Sequence, residues 1–408
     1  MKIDYTIIIS PNLGYLDAVL PVLYLAKKND KITSIVFPFE IFRRKMRFSD
    51  TVFKILQECN DYYYIFDSRS NSIRKYNNFQ RFKWAQKINS LRYYRFLQEQ
   101  LFSKMKPLIW KKSSDKTPLI SVENIVFDIS SLKKGYMKNL ISIFCDDSHW
   151  VSYHHGIEAE HSSQSEVAKY PEFSFFKKRY SKTQIILNSN RELSLWKSRL
   201  PKEISSFHVY GVIRHHEAYI KKIQSLYANY PKDHVLVISR PSSNYLSKED
   251  KYNTLLDIKE TCKVYNLKKI VIKLHPKETS KKDLDIFYEA LGRENYGKFW
   301  EFSNLHTYVV AKEALFAIAI WRSNIIFDLN LLKIPIIMRL NLVKLGENDS
   351  HKQSIRNIVK SGNAELAQNY EQLNELVRST LISNEIQTRQ HLAYAAYFSE
   401  SLIQDFFD

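Results

Sequence analysis

Short β-branched runs alternate with longer stretches of helical apolar spacing along this sequence, and the alternation passes through two successive series. The pattern belongs to parallel sheets. Each strand must be carried back to its starting edge by a crossover, and an amphipathic helix serves as crossover while covering a sheet face. The first series opens with Ile7–Ile9, Gly14 and an amphipathic stretch from Leu16 to Lys27, then Ile32–Phe37, a helical stretch Ser49–Glu58 and the run Tyr62–Phe66. Further strands are expected at Ile125–Ile129, His149–His154, Gln184–Asn188 and Ser206–Tyr210. The second series reads as strands Val235–Ser239, Lys269–Leu274, Lys298–Phe302, Leu315–Ile320 and Ile334–Met338. Helices Glu249–Tyr265, Asp283–Leu291, Thr307–Ala314 and Ser323–Leu332 separate them, and the polar stretch His215–Tyr230 joins the two series. The expectation is an α/β protein with a Rossmann-like domain at residues 1–213, a second at 232–364, and helices over 365–408.

Composition narrows the partners more than the fold. An apolar share of 44% with 24 Phe and 26 Tyr supplies two cores and excludes disorder over most of the 408 residues. The net charge of +18 attracts an anion, whether nucleic acid, an anionic membrane face or a phosphorylated substrate. Cys59, Cys145 and Cys262 lie far apart with no CxxC pair, so reduced thiols in a cytoplasmic protein are expected, not a disulfide framework or a cysteine zinc site. No run reaches the roughly 18 apolar residues of a membrane span. The N-terminal run carries Asp4 and reads as a buried strand, not a signal peptide.

Two segments of the second series carry the strongest chemical signal. In Ile270-Val271-Ile272-Lys273-Leu274-His275-Pro276-Lys277-Glu278 a buried strand ends in Lys, one apolar residue and His-Pro. Ligands of open α/β sheets bind outside the carboxyl ends of strands, and there His275 can donate to a phosphate while Lys273 and Lys277 add positive potential. The alternative is a capping histidine before a turn proline. One strand–helix step later, Ala317-Ile318-Ala319-Ile320-Trp321-Arg322-Ser323-Asn324 leads into a helix capped by Ser323 or Asn324, with free N–H groups that suit an anion. Asp328 lies a turn further in, placed to reach a ribose or sugar hydroxyl, or else solvated on an ordinary helix.

Together these segments resemble the donor-binding half of bacterial capsule and lipopolysaccharide glycosyltransferases that use CMP-sugars. Those are the polysialyltransferases and Kdo transferases, marked by a His-Pro motif and a later Ser-containing helix start. The stretch Ser323–Ile337, with Leu331-Leu332-Lys333-Ile334-Pro335 before a strand, is similar to theirs. The resemblance implies a GT-B fold, two Rossmann-like domains facing across a cleft, with the last helix crossing back to the first domain. It also implies that His275 and Pro276 meet the donor phosphate and that Ser323 and Asn324 hold the nucleotide.

In the first series, His149-Trp150-Val151-Ser152-Tyr153-His154-His155-Gly156-Ile157-Glu158-Ala159-Glu160-His161 delivers histidines and carboxylates to a strand end. An inverting transferase needs a base for the acceptor hydroxyl. Glu158 is the first candidate, with Glu160 and His155 behind it, and His154, Gly156 and Gly14 are expected loop positions near the acceptor. The stretch is also similar to the His-Gly turn of the glycerophosphotransferases of teichoic acid synthesis, so transfer from a CDP-glycerol donor is the alternative. The spacing is irregular for a metal site and HExxH is absent, so no metal and no cofactor are expected beyond the nucleotide-sugar substrate. In Val237-Ile238-Ser239-Arg240-Pro241-Ser242, Ser239 and Arg240 can meet the donor from its other side. This strand end offers no carboxylate nucleophile, which favours inversion.

Residues 69–112 interleave basic and aromatic side chains with Glu99 the one acidic residue. Such helices suit an anionic bilayer surface or an anionic acceptor, or form a solvated face. No nucleic-acid motif accompanies them, and none is expected as a partner. The expected activity is transfer of sialic acid or Kdo from a CMP-activated donor to a cell-surface glycan or glycolipid, at the inner face of the cytoplasmic membrane. A non-enzymatic basic protein binding membrane or nucleic acid is the remaining alternative.

Overall fold

The computed structural model describes residues 2–9, 13–38, 50–67, 72–76, 110–112, 120–128, 140, 143–144, 147–153, 182–200, 202, 204, 206–227, 233–275, 277–278, 280–346 and 349–382. The first series holds β1 (Ile3–Ile8), α1 (Leu13–Lys28), β2 (Thr33–Pro38), α2 (Asp50–Cys59), β3 (Tyr62–Asp67), β4 (Ser72–Tyr76) and β5 (Trp110–Lys112). It continues with β6 (Val122–Phe127), β7 (His149–Tyr153), β8 (Thr183–Leu187), α3 (Asn190–Arg199) and β9 (Ser206–Val209). These strands form one nine-stranded sheet in the order β5-β4-β3-β2-β1-β6-β7-β8-β9. From β3 to β9 all neighbours are parallel. Central β1 sets Ile7 beside Ile35 and Val126, and that side chain is fully buried, as expected of a strand covered on both faces.

After β9 come a 3₁₀ turn at Ile213–His215 and α4 (Glu217–Ser225). The second series holds β10 (His234–Ile238), α5 (Lys248–Val264), β11 (Ile270–Lys273), α6 (Lys281–Leu291), β12 (Trp300–Ser303) and α7 (Thr307–Ala311). It ends with β13 (Ala314–Ala319), α8 (Ile325–Leu331), β14 (Ile336–Arg339), α9 (Ser350–Lys360), β15 (Glu365–Ala367) and α10 (Tyr370–Ile382). Its six strands are all parallel, in the order β12-β11-β10-β13-β14-β15. Counted by appearance this is third-second-first-fourth-fifth-sixth, the doubly wound order whose switch point lies between β10 and β13. Local chemistry fixes the helix starts. Ser247 with Asp250, and Ser280 with Asp283, form reciprocal capping boxes at α5 and α6.

Four stretches differ from the sequence reading. Ser72–Tyr76 and Trp110–Lys112, expected as helices, add an antiparallel edge beyond β3, and the intervening residues lie outside the described ones. Residues 365–367, expected as helix, pair in parallel with β14 because the chain re-enters the sheet before α10. The polar connector is helical over Glu217–Ser225 and buries Tyr219, Ile220 and Ile223. Residues 383–408, on which the crossing-back helix was expected, also lie outside the described set.

That connector helix joins the two lobes into one packed unit. Its buried residues share a core with α1 and with Tyr308 and Val309 of α7. Polar contacts reinforce the junction. Arg214 Nε donates to Asp328 Oδ1 at 2.8 Å, Nε2 of His215 lies 2.9 Å from the same oxygen, and the Tyr308 hydroxyl donates to the Arg214 carbonyl at 3.0 Å. On the far side of the junction, Asp17 of α1 lies 2.9 Å from His306 Nε2, and the His306 N–H donates to Thr51 of α2 at 3.1 Å. His306 follows the carboxyl end of β12 and α1 follows that of β1, so the carboxyl edges of the two sheets face each other.

Asp328 is 3% exposed and is the carboxylate that answers Arg214. Asp328→Ala is expected to lower the unfolding free energy by about 3–5 kcal/mol, because the guanidinium is left buried without a counter-charge. Urea unfolding of the full chain checks this.

Candidate functional site

The register of the second sheet brings three loops off one edge. Ile238 pairs with Lys273 on one side and Ala319 on the other, so Ser239-Arg240, Leu274-His275 and Ile320–Asn324 leave the sheet together at the switch point. All three carry residues singled out from the sequence.

A buried carboxylate organises the first two. Glu278 closes a turn in which its N–H donates to the His275 carbonyl at 2.8 Å. Its side chain reaches back so that Oε2 accepts the His275 N–H at 2.7 Å, while Oε1 accepts the Ser239 hydroxyl at 2.8 Å. Lys251 of α5 donates to the same Oε1, and both side chains are essentially inaccessible. One carboxylate thus ties together the ends of β10 and β11 and the first turn of α5. Ser239, expected to face the donor, spends its proton on this tie and is 4% exposed.

The tie leaves the His275 ring with a defined face. Its Nδ1 accepts the Lys277 N–H at 3.1 Å, so the proton of the neutral ring sits on Nε2. Burial, then the nearby cations Arg240, Lys277 and Lys251, lower its pKa to about 4. The ring is therefore neutral at physiological pH and offers an N–H. The same cations that disfavour the imidazolium favour an anion at this point. Arg240 is part-buried, its Nη1 donates to the Arg322 carbonyl at 3.3 Å, and burial lowers its pKa. Among the described residues no carboxylate pairs with it.

Lys273 lies lower in the cleft. Its ammonium donates to the Leu305 carbonyl, burial lowers its pKa to about 8, and Asp17 of the facing lobe opposes that shift. Asp17 itself is held down to about 2: burial pushes its pKa up, but His306, Arg214 and Lys273 together outweigh it. On the third loop the cap is Asn324, exposed and without a side-chain cap bond, while Ser323 Oγ accepts the Ile325 N–H at 3.3 Å. Asp328 corrects the sequence reading. Its carboxylate is buried against Arg214 and His215, so it stands behind the helix and is not free for a sugar hydroxyl. Arg214 Nη2 also donates to the Asn324 carbonyl at 3.3 Å, which fixes the start of α8 from the connector.

The structure therefore brings Arg240, His275, Ser323 and Asn324 to one edge, sets Lys273 beside Asp17, and turns Ser239 and Asp328 inward. Gly14 falls in the first turn of α1, at the carboxyl side of β1. His154, His155, Gly156, Glu158, Glu160 and Pro276 lie outside the described residues. Among the described residues no group of three His, Cys, Asp or Glu side chains can hold a metal ion, and no helix is long and apolar enough to cross a membrane. Sequence reasoning did not assign Glu278, Lys251, Asp17, His306, Arg214 or His215. Only Glu278 left a local signal, a carboxylate three residues after the motif histidine, the spacing of a capping box.

No family model matches the sequence, and no curated protein does. Solved structures do match in fold. The UDP-GlcNAc 2-epimerase of Methanocaldococcus jannaschii, solved with UDP-GlcNAc and UDP, is similar over 100% of this chain and 99% of its own, with TM-score 0.54 at 14% identity. The Neisseria meningitidis UDP-GlcNAc 2-epimerase bound to UDP-GlcNAc matches over 100% and 99%, with TM-score 0.53 at 13% identity. A further UDP-N-acetylglucosamine 2-epimerase covers 100% and 97%, with TM-score 0.55 at 12% identity. At such identities the likeness is one of fold: two Rossmann-like α/β lobes facing across a cleft, the GT-B arrangement.

The depressed pKa of His275 has a stability consequence. Between its ordinary value of 6.5 and about 4 the unfolded chain binds a proton that the folded chain does not. Stability contributed by the neutral ring is thus present above pH 6.5 and is lost as pH falls through that window. His275→Gln is expected to flatten the pH dependence of the urea midpoint there, while wild type shows a decline.

Proposed function

We propose that the chain is a glycosyltransferase that takes its sugar from a nucleotide-activated donor, with the donor phosphate against His275 and Arg240. The observation that carries this reading is the neutral, Nε2-protonated imidazole near Arg240, which pairs with no carboxylate among the described residues, at the switch point of a doubly wound sheet. Transfer leaves negative charge growing on the leaving phosphate. Preorganised N–H donors and a guanidinium aimed at that charge stabilise it without reorganising when it appears. A neutral histidine suits the role, since it can donate a hydrogen bond throughout without first having to gain a proton. The Glu278 tie supports the reading by holding the histidine loop and the arginine loop at fixed separation.

The His-Pro resemblance favours a CMP-activated sialic acid or Kdo and an inverting displacement. The acceptor base is proposed on the segment after β7, where Glu158 is first, followed by Glu160 and His155. The acceptor is proposed to be a cell-surface glycan or glycolipid, met with the help of the basic-aromatic stretch 69–112 at an anionic membrane face. A second reading has its own support. Solved structures similar over nearly the whole chain include two named as UDP-GlcNAc 2-epimerases.

Nucleotide release from CMP-sialic acid, CMP-Kdo, UDP-GlcNAc and CDP-glycerol, with and without a lipopolysaccharide or capsule acceptor, separates these readings. Acceptor-dependent release from a nucleotide sugar is expected. Conversion of UDP-GlcNAc without acceptor favours the epimerase reading, and release from CDP-glycerol alone contradicts both. His275→Ala is expected to reduce turnover about 10²–10³-fold, the scale of losing one charge-stabilising donor, with the urea midpoint at pH 7.5 little changed.

A further inference from the structure

The loop that carries Arg240 carries a second handle. Between β10 and α5 the chain makes a closed turn in which Ser243 and Leu246 exchange backbone hydrogen bonds at 2.8 and 3.2 Å, and the Tyr245 N–H donates to Ser243 Oγ at 3.3 Å. Leu246 is 4% exposed and anchors the turn in the core, so Tyr245 at its tip is held and still 45% exposed. Its ring stacks on Trp321, with centroids 6.4 Å apart and planes 23° apart, and sits 4.4 Å from His351 at the start of α9. Trp321 is on the loop after β13, next to Arg322, whose carbonyl accepts from Arg240. The Arg322 side chain donates to Ser354 of α9 at 3.0 Å, which fixes the helix carrying His351. One loop therefore leans on its neighbour through a cation at the strand end and through an aromatic ring further out.

We infer that Tyr245, backed by Trp321 and His351, is the stacking platform for the base of a nucleotide whose phosphate lies at Arg240 and His275. This rests on the nucleotide-sugar reading and adds where the base goes. A nucleotide presents an anionic group and a flat ring joined by a sugar, and the two loops present a matching pair of partners in that order. Fixed aromatic rings reduce the ordering cost of stacking, and base–aromatic stacking tolerates either pyrimidine.

Calorimetric titration of the full chain with CMP, UMP and ribose 5-phosphate tests the assignment. Tyr245→Ala is expected to weaken CMP and UMP about tenfold, the scale of one lost stacking contact, and to leave ribose 5-phosphate unchanged. Tyr245→Phe is expected to bind both nucleotides within about twofold of wild type, since the ring face is retained. Unaltered nucleotide affinity in Tyr245→Ala, or an equal loss for ribose 5-phosphate, overturns the platform while leaving the nucleotide-sugar reading intact. Failure of wild type to bind any of the three removes that reading, and the platform falls with it.

Discussion

A single buried carboxylate holds the candidate site together. Glu278 has its charge answered by Lys251 and its remaining lone pairs by Ser239 and the His275 N–H. A buried ion pair adds little stability over an apolar substitute, but removing one partner is severe, so such pairs are better understood as devices for geometry. Here the geometry is the separation of two loops. Because the pair ties together the carboxyl ends of β10 and β11, the loops that carry Arg240 and His275 have little freedom to drift apart. Arg240, Lys277 and Lys251 near one imidazole disfavour its protonation, and the same positive potential favours an anion.

A second buried carboxylate links that site to the junction between the lobes. Arg214 and His215 belong to the connector, and both close on Asp328. Arg214 also donates to the Asn324 carbonyl, which ties the connector to the start of α8. Across the cleft, Asp17 meets His306 while sensing Lys273. The contacts between the lobes at this junction are therefore largely buried and charge-assisted.

Much of the fold was legible before any coordinates, and the reason is periodicity. Buried parallel strands such as His234–Ile238 and Ile270–Lys273 are unbroken apolar runs, and their ends fall within a residue or two of the sequence reading. The edge strands were not legible. Ser72–Tyr76 and Glu365–Ala367 are short and carry no apolar run, so nothing in their pattern separates them from helix or loop. The connector helix was hidden because only Tyr219, Ile220 and Ile223 mark its buried face. For the site, the strand-end residues Arg240 and His275 could be found because position after a strand is a local property. Which way Ser239 and Asp328 turn could not. Their partners are 39 and 114 positions away, and a carboxylate looks the same in sequence whether it meets a sugar or an arginine. The His154–Glu160 segment lies outside the described residues, and the acceptor side rests on chemistry alone.

The central claim is that His275 and Arg240 form one phosphate site at the β10/β13 switch point. A crystal structure of the full chain soaked with CMP, and in parallel with UDP, tests it most directly. The account predicts a phosphate oxygen within hydrogen-bond distance of His275 Nε2, a second facing the Arg240 guanidinium, and Glu278 still closed on Ser239 and Lys251. A nucleotide seated in the other lobe, or one in the cleft that touches neither side chain, would contradict it.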